Sequence, residues 1–166
     1  MSRTTFSGPV ASTDGFIGNL VGAVVTAPST SVTAATLAVD STYAGKITPL
    51  NKANGQAVTL PAATGSGAEY RFYIGTTITS VGTTIKVVGN DIMAGTAIFA
   101  NDTDASASIF ETASDSDTIT FNGSTTGGIA GTMVELVDIA ADTWWVRITG
   151  AATGSEATPF SATVTP

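Results

Sequence analysis

The side chains of this 166-residue chain that could do chemistry are mainly carboxylates and aromatic rings. Asp102-Thr-Asp104 and Asp115-Ser-Asp117 each place two carboxylates one residue apart, and carboxylate oxygens are preferred ligands of calcium. Neither pair continues into an EF-hand loop with its distal glutamate, and aspartate is also common in turns for local hydrogen-bonding reasons. Calcium binding stays an open alternative, and we expect no resident metal or cofactor.

Aromatic side chains cluster at two places, Tyr70-Arg-Phe72 and Trp144-Trp145. Such rings can form a stacking platform for sugars. Neighbouring residues on a strand point to opposite faces, however, so at most one of the two tryptophans faces outward. We therefore predict that Tyr70, Phe72, Trp144 and Trp145 serve the core or an oligomer seam.

The usual catalytic residues are missing, because the chain has neither histidine nor cysteine. Histidine is the commonest general acid/base near neutral pH, and the cysteine thiolate is the strongest side-chain nucleophile. The serines have no histidine partner and no G-x-S-x-G turn, and Thr64-Gly-Ser-Gly-Ala68 lacks the G-K-[ST] ending of a phosphate-binding loop. Nothing selects a glycosidase pair among the thirteen acidic residues. We predict that the protein is not an enzyme.

Short β-branched runs separated by Gly, Asn, Asp and Pro predict the elements that position these side chains. The predicted strands are residues 46–50, 57–60, 69–74, 83–88, 96–100, 108–111, 118–121, 132–139 and 143–149. Asn54-Gly55 predicts a type I′ turn from which residues 57–60 return, and Ala140-Ala-Asp142 predicts the turn of a hairpin. The pattern favours an all-β fold, a sandwich or barrel of jelly-roll type with an extended N-terminal arm.

Three segments follow from this pattern. Residues 1–30 are predicted to be an arm that packs on another chain, residues 31–150 the β domain, and residues 151–166 an extended tail. The arm carries spaced anchors on an otherwise polar strip, and we expect Arg3, Phe6, Phe16 and Ile17 to bind a partner surface.

Composition and charge indicate which kinds of partner the chain can bind. Charged residues make up only 11% of the chain, and a surface of Thr, Ser, Ala and Gly is easily desolvated against another protein. The net charge is −7, and residues 101–166 hold nine of the thirteen acidic residues. No basic patch suited to a phosphate backbone is present, and the longest apolar stretch is interrupted by Gly and Asn. We expect neither a nucleic acid nor a membrane partner.

Several stretches together resemble small structural proteins of tailed bacteriophages, in particular head decoration (cement) proteins. They are Ser2-Arg-Thr-Thr-Phe-Ser-Gly-Pro-Val10, Asp14-Gly-Phe16, residues 58–68, Tyr70-Arg-Phe72, Asp117-Thr-Ile-Thr120, Gly127-Gly-Ile129 and residues 154–161. The resemblance is spread over most of the chain and carries no catalytic residues.

The resemblance implies a virion protein on the outer surface of the capsid. Such a protein is usually a homotrimer that bridges neighbouring major capsid protein subunits and stabilises the assembled head. The alternative is a trimeric head- or tail-fibre domain that recognises host glycans through surface aromatic residues.

Overall fold

The computed structural model describes residues 31–164, which form eleven β-strands and one short 3-10 helix at Ser41–Tyr43. The strands are β1 (Thr36–Ala38), β2 (Ile47–Leu50), β3 (Ala57–Thr59), β4 (Glu69–Ile74), β5 (Thr83–Lys86), β6 (Ile92–Ala100), β7 (Ala107–Glu111), β8 (Thr118–Phe121), β9 (Met133–Ala140), β10 (Thr143–Ala151) and β11 (Phe160–Ser161). The predicted all-β class is confirmed.

The larger sheet has six strands in the order β2-β4-β9-β10-β6-β7. Its centre contains the predicted hairpin of β9 and β10. Asp142, the last residue of the turn, has a φ of 58°, and the register shifts between Thr143 and Trp144. A hairpin turn whose last residue takes the left-handed region is commonly accompanied by such a bulge. The resulting register pairs Arg147 with Glu135.

The smaller sheet has five strands in the order β1-β3-β5-β8-β11. The first six strands of the chain fall alternately in the smaller and the larger sheet, so strands that follow each other along the chain are rarely neighbours. As a result four of the nine strand pairs are parallel. Jelly rolls are antiparallel. The fold is therefore two mixed sheets, and the jelly-roll arrangement is not confirmed.

The turn at Asn54-Gly55 differs from the prediction. The Gly55 amide donates to the Lys52 carbonyl at 3.0 Å, which closes a tight turn, but Asn54 does not take the positive φ of a type I′ turn. The strands on either side, β2 and β3, belong to different sheets. The predicted hairpin return is therefore wrong, because the chain crosses between sheets at this turn.

Both sheets bury their inward side chains in one continuous hydrophobic cluster. The larger sheet contributes Phe72, Trp144 and Ile148, and the smaller one contributes Val58 and Ile119, each 1% exposed or less. Successive side chains of a strand point to opposite faces, so these residues point into the core and their neighbours along the same strands face outward.

The remaining predictions concern the two ends of the chain, the arm and the tail. Phe160 in the predicted tail is 7% exposed and pairs with Ile119 of β8. The proposed anchors Arg3, Phe6, Phe16 and Ile17 lie outside the described residues. Among residues 31–164, no helix has the length and apolar character required to cross a membrane.

Candidate functional site

The tandem tryptophans lie on opposite sides of β10. Trp144 is fully buried and meets the Tyr70 ring edge-on, with the ring centroids 5.7 Å apart. Phe72 is also buried, at 1% exposed. Trp145 instead lies on the outer face of the six-stranded sheet with 38% of its surface exposed. Three of the four predicted core or seam residues thus lie in the core, and Trp145 is available to a ligand or partner.

Charged side chains form a row beside Trp145. Strand register aligns Arg71 of β4 with Glu135 of β9 and Glu135 with Arg147 of β10. The Arg147 Nε and Nη2 atoms lie 2.6 Å and 2.5 Å from Glu135 Oε2, and the guanidinium carbon is 5.8 Å from the Trp145 ring centroid. The salt bridge therefore fixes the Arg147 guanidinium over the indole, within the range of a cation–π contact.

These side chains surround a groove of about 190 Å³, which we name the Trp145 groove. Its lining consists of Glu69, Arg71, Glu135, Leu136, Val137, Trp145 and Arg147. Arg71 Nη2 donates to the Gly45 carbonyl at 3.2 Å, whereas its buried Nε has no hydrogen-bond partner. The groove thus offers an aromatic surface, two carboxylates and two guanidiniums, which is a set suited to binding polar molecules.

A second cluster of contacts surrounds Asp138 on the inward side of β9, where it is 3% exposed. Its carboxylate accepts five hydrogen bonds. The donors are the backbone amides of Thr64, Gly65 and Ser66 and the hydroxyls of Thr64 and Ser66, at 2.6–3.1 Å. Gly65, at a φ of +76°, allows the loop to turn its amides toward this carboxylate. The loop at residues 64–66 thus binds the buried Asp138 carboxylate through its amides and hydroxyls.

The electrostatics of Asp138 follow from this loop. Burial raises the pKa of the Asp138 carboxyl, but the hydrogen bonds from Ser66, Gly65 and Thr64 outweigh burial and hold the pKa at about 2. The carboxylate is therefore ionised at neutral pH and joins β9 to the segment that precedes β4.

The two D-x-D pairs accept hydrogen bonds from the protein itself. Asp104 accepts a hydrogen bond from the Ser106 amide at 3.0 Å, as in an Asx turn. Asp117 accepts from the backbone amides of Thr163 and Val164 at 2.7 Å and 2.9 Å and so ties the end of the described chain to β8. Within the part of the chain that the structure describes, no three acidic side chains are grouped so as to hold a metal ion.

Sequence reasoning missed the partners of Trp145. A signal for one of them was present, because the turn predicted between β9 and β10 sets a register that places Arg147 opposite Glu135. No local sequence pattern predicts that Arg71 lies in the groove, because its position depends on the pairing of β4 with β9, which are far apart along the chain. Comparison of the chain with protein-family models, curated proteins and solved structures found no match.

Proposed function

We propose that this chain is a bacteriophage capsid decoration protein that binds the outside of the assembled head and bridges major capsid protein subunits. The stretches of sequence that resemble head decoration proteins support this proposal, as does the lack of histidine and cysteine. The observation that carries it is the outer face of the five-stranded sheet.

This outer face, which we name the docking face, consists of short side chains in register across four strands. One row is Thr36, Ala57, Thr84 and Thr120, and the next is Ala38, Thr59 and Lys86. Only Lys86 is charged, so little charge must be desolvated when this face meets another protein. Its small side chains permit close approach to a smooth shell.

The N-terminal arm is the second contact in the proposal. Ser31, the first described residue, accepts a hydrogen bond from Asn51 at 2.7 Å, and β1 follows it as an edge strand of the five-stranded sheet. The first described residues thus contact the end of β2, at the edge of the six-stranded sheet, where Val32 pairs with Leu50 before the chain enters β1. In the proposal, Arg3, Phe6, Phe16 and Ile17 anchor this arm on a neighbouring capsid subunit.

The mechanism is thermodynamic. A protein that binds the assembled shell but not free subunits stabilises the shell by mass action. As a homotrimer it would bring three arms to one site, which increases the overall affinity when all three engage. Light scattering on the purified chain should then give a mass near three times 16.6 kDa.

The test is cosedimentation with heads assembled from the major capsid protein of the virus that encodes the chain. The intact chain should sediment with the heads, and Thr59→Glu on the docking face should weaken binding by about tenfold or more. Thr149→Glu, an exposed change on the other sheet, serves as the matched control and should bind normally.

Deletion of residues 1–17 should abolish binding while the circular dichroism spectrum of the β domain stays unchanged. An intact, folded chain that fails to sediment with the heads would refute the decoration role. Full binding by the truncated chain would refute only the role of the arm.

A further inference from the structure

Charge is concentrated in the Trp145 groove of a chain that otherwise carries little of it. Charged residues are 11% of the sequence, yet the groove gathers Glu69, Glu135 and both arginines that lie within residues 31–164. The same groove holds Trp145, the aromatic side chain among the exposed large hydrophobic residues of the described chain. Charged side chains alone would keep this face of the sheet in solution, so the exposed tryptophan beside them indicates a binding site.

The combination matches the chemistry of a sugar ring. A pyranose has an apolar face of C–H groups that stacks on an indole. The Arg147 guanidinium lies over one side of the Trp145 ring, and the 38% of Trp145 that remains exposed is the surface available for such stacking. Its hydroxyls both donate and accept hydrogen bonds, so neighbouring carboxylates and guanidiniums can satisfy them in pairs. Glu69 and Arg71, two residues apart on β4, supply one such acceptor and donor beside the indole.

The charge balance and size of the groove narrow the ligand further. Two carboxylates and two guanidiniums cancel, so the groove has no excess charge that would select a phosphate or a polyanion. A volume of about 190 Å³ is smaller than the roughly 300 Å³ at which drug-sized pockets begin. This volume suits one monosaccharide ring, held at the end or along the side of a longer glycan.

Arg71 lines this space and donates one hydrogen bond to the protein, from Nη2 to the Gly45 carbonyl. Its Nε is buried and has no partner, so a ligand in the groove cannot reach that atom. The outer N–H groups of the guanidinium are therefore the donors that Arg71 offers to a ligand.

We propose that the Trp145 groove binds a neutral saccharide, with one pyranose ring stacked on Trp145 and its hydroxyls held by Glu69 and Arg71. The site lies on the six-stranded sheet, whereas the docking face belongs to the five-stranded sheet. The inference goes beyond the decoration role and requires no capsid, so each can fail without the other.

Titration of the intact chain with neutral oligosaccharides of glucose, galactose, mannose and N-acetylglucosamine tests the proposal, with 3′-sialyllactose as an anionic comparison. Iodide quenching of tryptophan fluorescence locates binding, because Trp144 is fully buried and Trp145 is the accessible tryptophan. A bound neutral sugar should protect Trp145 from iodide, with millimolar affinity.

Saturation-transfer NMR extends the test to variants that lack the indole. Trp145→Ala and Arg71→Met should each weaken binding by about tenfold, whereas Ile109→Ala, on an exposed residue of β7 outside the groove, should leave it unchanged. Thermal unfolding of each variant verifies that it is folded. No binding of any neutral sugar, equal binding by folded Trp145→Ala, or binding of the anionic sugar alone would each overturn the proposal.

Discussion

The Oδ1 atom of Asp138 lies 2.6 Å from the backbone nitrogen of Gly65, which donates a hydrogen bond to it. This contact joins β9, at the centre of the six-stranded sheet, to the loop between β3 and β4. Asp138 occupies an inward position of its strand, where an unpaired carboxylate would be costly. The loop and the carboxylate therefore stabilise each other.

Asp138→Asn should destabilise the protein, because the new amide group directs a donor at a loop whose backbone amides can only donate. We expect the free energy of unfolding in urea at neutral pH to fall by about 1–3 kcal/mol. Asp142→Asn is the matched control, since Asp142 is exposed and asparagine tolerates its φ of 58°. Equal stability of the two variants would contradict the structural role of Asp138.

The same carboxylate predicts a pH dependence of stability. The pKa of Asp138 is lowered from 3.8 to about 2 in the folded protein, so its contribution is complete above the unfolded pKa and is lost as the pH falls toward the folded value. Between about pH 4 and pH 2, the wild type should lose roughly 1–2 kcal/mol through this group, after allowance for screening by solvent. Urea unfolding across this range should show a shallower loss in Asp138→Asn.

Val81→Gly should stabilise the protein. Val81 has a φ of 53°, which is strained for a β-branched residue, and it is 86% exposed, so its removal sacrifices little packing. Relief of the strain should exceed the added chain entropy of glycine and raise the unfolding free energy by about 0.5–1 kcal/mol. Thermal unfolding of the variants measures this change. Val88→Gly is the comparison, and it should lower the free energy of unfolding, because φ at Val88 is not positive and there is no strain to relieve.

Gly95→Ala should disrupt the six-stranded sheet. A Cβ atom at Gly95 would lie 1.8 Å from the Val146 carbonyl oxygen of the neighbouring strand, so β6 and β10 would have to separate. We expect a loss of about 3 kcal/mol or more. In Gly45→Ala no atom lies within 4 Å of the new Cβ, so only the cost of its positive φ, about 1–2 kcal/mol, remains. A similar loss in both variants would argue against the close approach of these strands.

The two tryptophans should respond differently to alanine. Trp144→Ala removes a fully buried ring in contact with Tyr70 and should cost about 3–5 kcal/mol of unfolding free energy. Trp145→Ala should cost about 1 kcal/mol or less, because it loses mainly an exposed cation–π contact with Arg147. Urea unfolding of both variants, followed by circular dichroism, compares them directly. A larger loss of unfolding free energy in Trp145→Ala than in Trp144→Ala would contradict the assignment of Trp144 to the buried face of β10 and Trp145 to its outer face.

Local sequence patterns predicted the strands well, because β-branched runs and turn residues act locally. The bounds of β4 and β8 coincide with the predicted ones, and the β9–β10 hairpin follows from its turn. Periodicity shows that a strand has a buried face but not which sheet it joins. The crossing at Gly55 and the placement of Arg71 beside Glu135 therefore depend on non-local pairing that no short window contains.

The position of β9 and β10 between β4 and β6 has a consequence for synthesis of the chain. The ribosome releases β4 and β6 well before the two strands that separate them in the sheet. Until residue 151 is made, these earlier strands expose unpaired backbone amides and carbonyls, which are templates for association with other chains. The six-stranded sheet can therefore close only after β10 has been made, and we expect the interval before the synthesis of β9 and β10 to be the stage at which the nascent chain most needs protection from aggregation.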